Sequence, residues 1–375
     1  MIDYIEIRNT ETQLIGIIDA FQSVIWHSVY FGVGDFEIYT QATPEALELL
    51  RSGYYVTRPN DIETGIIEKI NIFNDEHNGL MIAAAGRFFK SVLDRRLIYN
   101  LSGNSNAATV LRGNVEENIR MVVANNAIAC PFDSRRNISR LELGALAGIP
   151  AIIVDEKGYA AQKQVSYGNL LTYTDGVLEE YGLASMCLLD TETGNFQYTV
   201  YGGVDRSINN ASGNIPVVFS QEFDNLTASE YGLNTTAEKN AALIGGEGEG
   251  LARFYSLIAG NKTDLQRREV FVDASSINKA YKDENEEEQT YTDAEYTALL
   301  NTAGTQSLEM LKTVESFAGT IDIINGNYVY NRDFLLGDIV SVQDNILQMY
   351  VNVRICEITE VQDENGYTIE AVYKS

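Results

Sequence analysis

The chain holds two histidines, His27 and His77, and three cysteines, Cys130, Cys187 and Cys356. A serine or cysteine nucleophile needs a base in reach, and a zinc site needs several His, Cys or acidic ligands at close spacing. Neither histidine has such a partner at metal-ligand spacing, and His-Glu-x-x-His, Cys-x-x-Cys and Gly-x-Ser-x-Gly are all missing from the sequence. The run Gly245-Gly246-Glu247-Gly248-Glu249-Gly250 invites a phosphate loop, but Glu247 and Glu249 would face the phosphates. Gly260-Asn261-Lys262-Thr263 places Asn where a Walker loop needs Gly before Lys. The glycine run is therefore expected to be a strand end with close backbone packing, or a flexible loop. Trp26, Tyr30, Phe31 and Phe36 could stack on a sugar; at alternating strand positions they read as core. With 53 acids, no carboxylate pair stands out. The expectation is a protein that is not an enzyme, with no catalytic residue, no cofactor and no metal.

The elements that would position these residues are mostly strands. Near the C-terminus, Leu335-Leu336-Gly337-Asp338 leads into Ile339–Val342, a turn at 343–345, then alternating runs at 351–361 and 367–373 joined through Asp363-Glu364-Asn365-Gly366. Alternation closed by Asn-Gly is a hairpin pattern. Residues 49–85 repeat the plan: Leu49-Leu50, Gly53, a strand at 54–57, a turn at 59–61, then 66–73 and 80–85 joined through a tip ending in Asn78-Gly79. With one gap, Asn78-Gly79 lies over Asn365-Gly366 and Ile82 over Ile369. The chain thus reads as two related β-barrel ladders, one near each end.

Further strands are expected at 2–8, 14–18, 23–31 and 36–39. Thr43-Pro44-Glu45 starts a short helix carrying Ala46, Leu47, Leu49 and Leu50 and ended by Gly53. Asn114-Val115-Glu116-Glu117 resembles a capping box for a helix burying Val115, Ile119, Val122 and Val123. Ser166 is expected to cap the next helix, with Tyr167, Leu170, Leu171, Val177 and Leu178 inward and Gly182 as its stop. A hairpin follows at 184–201, then a Gly/Asn/Ser-rich exit linker at 202–214. Strands return at 217–231, 240–244 and 268–273. An acidic loop at 283–288 precedes a capping box, Thr292-Asp293-Ala294-Glu295, and a long helix with Tyr296, Leu299, Leu300, Leu308, Leu311 and Val314.

At 375 residues, two to four domains are expected. The predicted class is α+β, mostly β. A first barrel spans 1–98 and an α+β domain 99–214. A second barrel spans 215–278 and 312–375, with the acidic loop and helix of 279–311 inserted. No apolar run of membrane-spanning length occurs, and the N-terminus carries no secretion signal. The odd, scattered cysteines read as reduced thiols. A net charge of −26 argues against a protein that grips nucleic acid.

One set of segments carries a family resemblance. It comprises Ile15–Asp19, Gly34-Asp35-Phe36-Glu37, Gly65-Ile66-Ile67-Glu68, Gly86–Arg96, Val165–Leu170, Phe223-Asp224-Asn225-Leu226, Gly246–Gly250, Arg267–Ala274 and Leu336–Val340. The chain resembles the phage tail hub family of siphovirus and prophage tail proteins, and is similar in architecture to the baseplate hub of contractile-tailed phages. The resemblance runs nearly end to end. It implies a homotrimer around an axial channel, where the tail tube meets the baseplate or tip. Implied partners are further copies of the chain, the tail tube or distal tail protein, the spike or tail-tip protein, and the tape measure protein. DNA would only pass through, and no stable membrane association is expected. The implied location is a virion tail or tail-like particle, a bacteriocin included, assembled in the bacterial cytoplasm. Many relatives carry a C-terminal peptidase or fibre, which is expected to be lacking here. Two rival readings are a receptor- or glycan-binding tail module and a tail-associated cell-wall hydrolase.

Overall fold

A computed structural model describes residues 1–375 except 100–108, 155–161, 166, 276, 283–287, 313, 322–326, 346–348 and 375. The first ladder comprises β1 (Ile5–Arg8), β2 (Leu14–Ile18), β3 (Phe21–Val29), β4 (Asp35–Gln41), α1 (Pro44–Leu49), β5 (Tyr55–Thr57), β6 (Gly65–Asp75) and β7 (Gly79–Phe88). Alternation dictates its packing: Val24, Trp26 and Ser28 of β3 point inward, while His27 stays partly exposed. The Thr43 side chain accepts the Ala46 amide and caps α1, as its sequence predicts.

The middle region holds β8 (Thr109–Arg112), α2 (Val115–Val123), β9 (Leu141–Leu143), β10 (Gln162–Val165), α3 (Leu170–Glu180), β11 (Leu183–Asp190) and β12 (Asn195–Gly202). Val115, Ile119, Val122 and Val123 are buried as their spacing requires. Asn169 caps α3 by accepting the Thr172 amide. Ser166, the expected cap, lies outside the described residues, and Tyr167 is 55% exposed at φ 57°, ahead of the helix instead of on its buried face.

Next come β13 (Val218–Ser220), β14 (Leu226–Asn234), β15 (Ala241–Gly245), β16 (Tyr255–Ile258), β17 (Glu269–Asp273), β18 (Ala280–Lys282), β19 (Glu288–Thr290) and α4 (Asp293–Met310). The chain ends with β20 (Val314–Ile321), β21 (Ile339–Asp344), β22 (Met349–Asp363) and β23 (Gly366–Lys374). Thr292 and Glu295 form the expected reciprocal capping box on α4. The helix ends earlier than its apolar spacing suggests: Leu311 is its C-cap and Val314 opens β20.

The chain divides into two compact units, residues 1–230 with 317–375, and residues 231–316. In the smaller unit β16, β15 and β17 form their own three-stranded sheet, and Ala242, Ile244, Tyr296 and Leu300 make its core. The strands at 241–273 therefore pair with each other and not with the C-terminal ladder.

Both ladders belong to one sheet, ordered β14-β20-β23-β22-β3-β4-β7-β6-β5-β1-β2, with β21 pairing β22 and β13 pairing β21. Neither ladder closes on itself among the described residues. The two ladders are joined edge to edge, where residues 357–362 of β22 run antiparallel to residues 24–29 of β3.

The two halves match in detail. The order β3-β4-β7-β6-β5 in one corresponds to β14-β20-β23-β22-β21 in the other. Each long hairpin carries a bulge, between Ile67 and Lys69 in β6 and between Ile355 and Glu357 in β22. Ile67 donates to Tyr54 and accepts from Gly53; Ile355 donates to Asp338 and accepts from Gly337. Both glycines have positive φ, 84° and 93°, which favours glycine over any residue with a Cβ. The gap in the sequence match falls in the turns: Asp75 closes on Gly79, and Asp363 closes on Gly366 with one residue fewer.

Candidate functional site

The joint between the halves is built on charge. Arg58 follows β5 in the inward phase set by Val56, and Glu360 sits inward on β22, two residues after Ile358. Arg58 donates from Nη1 to Glu360 Oε2 at 3.1 Å and from Nε to Asp61 Oδ2 at 3.0 Å, and its Nη2 bonds both carboxylates. The Tyr367 hydroxyl donates to Glu360. The guanidinium lies 4.9 Å from the Trp26 ring. Burial opposes the Arg58 charge, but Asp61 and Glu360 outweigh it and hold the group above its usual range. This cluster escapes sequence reasoning, although a charge in an inward strand phase was its signal.

Tyr30 is a second tie. It is fully buried, donates to the Gly182 carbonyl at 3.0 Å and accepts the Gly203 amide at 3.0 Å, linking β3 to the middle region. The supposed exit linker after Gly202 is also fastened. The Val204 amide and Arg206 Nε each donate to Asp338, 1% exposed, at 2.8 Å, and the Ile208 amide donates to Ser341 Oγ at 3.0 Å. Its polar composition satisfies these backbone groups instead of solvating a free segment.

The residues singled out for chemistry separate in space. Strand pairing brings Asp35 and Glu357 to the two ring nitrogens of His27, at 3.5 and 3.1 Å. His77 is exposed at the β6–β7 tip. Cys130, Cys187 and Cys356 are buried and none is in a disulfide. Among the described residues no group of three His, Cys, Asp or Glu side chains could hold a metal. Trp26, Tyr30 and Phe36 are core, at 0%, 0% and 1% exposure, so they offer no face to a sugar. The glycine run is close backbone packing: a Cβ on Gly246 would stand 2.7 Å from the Tyr296 hydroxyl, which accepts the Glu247 amide at 2.8 Å.

An acidic cavity of about 120 Å³ is lined in part by Asp61, Glu63, Tyr201, Tyr330 and Asp338. That is room for a few waters at ~30 Å³ each. Nearby, Lys90 donates to Asp175 at 3.1 Å. Burial first, then Asp61, pushes the Glu63 carboxyl up to about 7, against the pull of Lys90. The folded chain thus keeps a proton that the unfolded chain releases above 4.5, and the contribution of Glu63 to stability falls as pH rises from 4.5 to 7 and then levels off. Glu63→Gln is expected to add about 1–3 kcal/mol near pH 8 and little near pH 4. Urea unfolding at both pH values checks this; equal effects at the two would contradict it.

Equivalent edges of the two halves differ in cover. Ile358 and Glu360, past the β22 bulge, are 0% and 4% exposed where β22 pairs β3. Their counterparts past the β6 bulge, Ile70 and Ile72, are 37% and 49% exposed.

The model of one family, described as Siphovirus ReqiPepy6 Gp37-like protein, matches residues 4–373. The chain belongs to that family. No curated protein matches the sequence. Among solved structures, this family member is similar to the tail protein from Neisseria meningitidis MC58, with a TM-score of 0.60 and 14% identity over 99% of this chain and 96% of that one. It is also similar to the prophage MuSo2 43 kDa tail protein from Shewanella oneidensis, with a TM-score of 0.59 and 14% identity over 99% and 98%. At that identity the likeness is one of fold: the family member shares the fold of these tail proteins across its whole length. Among its described residues no helix is long and apolar enough to cross a membrane.

Proposed function

We propose that the chain is a structural, non-enzymatic hub of a phage tail or tail-like particle. Three copies form a ring around an axial channel and join the six-fold tail tube to a three-fold spike or tip. The observation that carries this reading is the doubled ladder. A subunit with two matching five-strand halves lets three chains present six similar surfaces to the tube and three identical ones to the tip. The tail-protein fold of the two structural relatives supports the same setting. In this reading residues 1–98 face the tube, and the net charge of −26 keeps passing DNA from sticking to the wall. The partners are the tube or distal tail protein, the spike or tip protein, and the tape measure protein. The glycan-binding alternative loses its residues, since three of the four candidate aromatics are core.

Electron microscopy of negatively stained protein, alone and with the tail-tube protein of the same particle, tests this proposal. Three-fold rings with a central opening are expected. Particles with no opening in both samples would refute it.

A further inference from the structure

We infer that the free edge of β6, residues 69–74, receives β14 of a second copy of the chain, antiparallel, by direct strand addition. The inference rests on the hub reading and names the surface that would build its ring.

The chain already contains one example of this junction. Beyond its bulge, β22 gives its outer edge to β3. In the strand correspondence, β22 matches β6 and β3 matches β14. The same junction repeated between copies therefore joins β6 to β14. Both of those edges are open among the described residues: β5 pairs β6 only at Gly65 and Ile66, and β14 ends the sheet order. The run from β14 to β6 is continuous, so a β6–β14 contact is head-to-tail and closes into a ring when the rotation per copy permits.

Side chains agree. An open strand edge normally carries charge or proline that blocks pairing. Residues 69–74 read Lys-Ile-Asn-Ile-Phe-Asn, with Lys69 at one end as the sole charge and no proline. Ile70 and Ile72 stand exposed, whereas their equivalents Ile358 and Glu360 are buried along the stretch where β22 pairs β3. β14 likewise leaves Leu233 55% exposed. Covering Ile70 and Ile72 removes apolar surface from water and also pairs the free amides and carbonyls of the edge.

The test uses the full chain and two readouts, solution mass and amide hydrogen exchange of the 69–74 segment. Wild type is expected to assemble, with exchange there slowed about tenfold or more on concentration. I70K/I72K alters two exposed positions and is expected to keep the wild-type circular dichroism spectrum while running at the mass of one chain. If wild type assembles but the 69–74 segment exchanges as fast as in the dilute chain, another surface builds the ring. The edge inference then falls and the hub reading stands. An I70K/I72K chain that assembles like wild type also overturns the edge inference alone. A wild-type chain that stays single at every concentration and with the tail-tube protein overturns both.

Discussion

Arg58→Met should lower the stability of the larger unit by about 3–5 kcal/mol, the range for a buried ion cluster that loses one partner. The substitution keeps most of the volume and the apolar stem, but it leaves Asp61 and Glu360 facing each other without their shared cation. Their side chains are 4% and 5% exposed, so water does not screen them. Arg58→Lys should fall between the two, because an ammonium cannot bind two carboxylates through a planar fork. Adding Glu360→Gln to Arg58→Met should restore part of the loss by removing one uncompensated charge. The chain carries its own probe: Trp26 is its one tryptophan and lies under the guanidinium. Urea unfolding followed by tryptophan fluorescence should show the midpoint drop. An unchanged midpoint for Arg58→Met would mean that the two halves do not depend on this cluster.

The second large effect separates two glycines that hold the same place in the two halves. Gly53→Ala should cost about 1–2 kcal/mol, the strain of a Cβ in the left-handed region, because nothing lies within 4 Å of the new atom. Gly337→Ala carries the same strain, and its Cβ would also stand 2.2 Å from the Tyr30 ring. Tyr30 cannot yield easily, since its hydroxyl is tied to Gly182 and Gly203. Overpacking adds about 1–3 kcal/mol, so Gly337→Ala should be the clearly worse of the two. Thermal unfolding of both variants decides it; equal losses would show that the Tyr30 contact relaxes without cost.

Local signals in this chain carry their information within a few residues, and those are legible. Thr43, Asn114 and Thr292 cap the helices that their sequence context predicts, and Asn78-Gly79 and Asn365-Gly366 close the two long hairpins. Pairing between distant strands is not legible. Alternation says which face of β22 is inward, but nothing local says that its far half lies on β3 while its near half lies on β21. For the same reason the edge-to-edge joining of the two ladders and the separate sheet of β15–β17 do not show in the sequence. The Arg58 cluster joins residues 302 apart in sequence, so its members show singly as misplaced charges. The end of α4 reads too long because Leu311 and Val314 keep the apolar spacing after the backbone has left the helix.

A chain that works as a closed ring of copies should show it in its mass. The deciding experiment is light scattering of the purified protein in solution across concentration, with and without the tail-tube protein. A species of three times 41.6 kDa should dominate as concentration rises or as the tube protein is added. A single chain of 41.6 kDa under all of those conditions would contradict the ring.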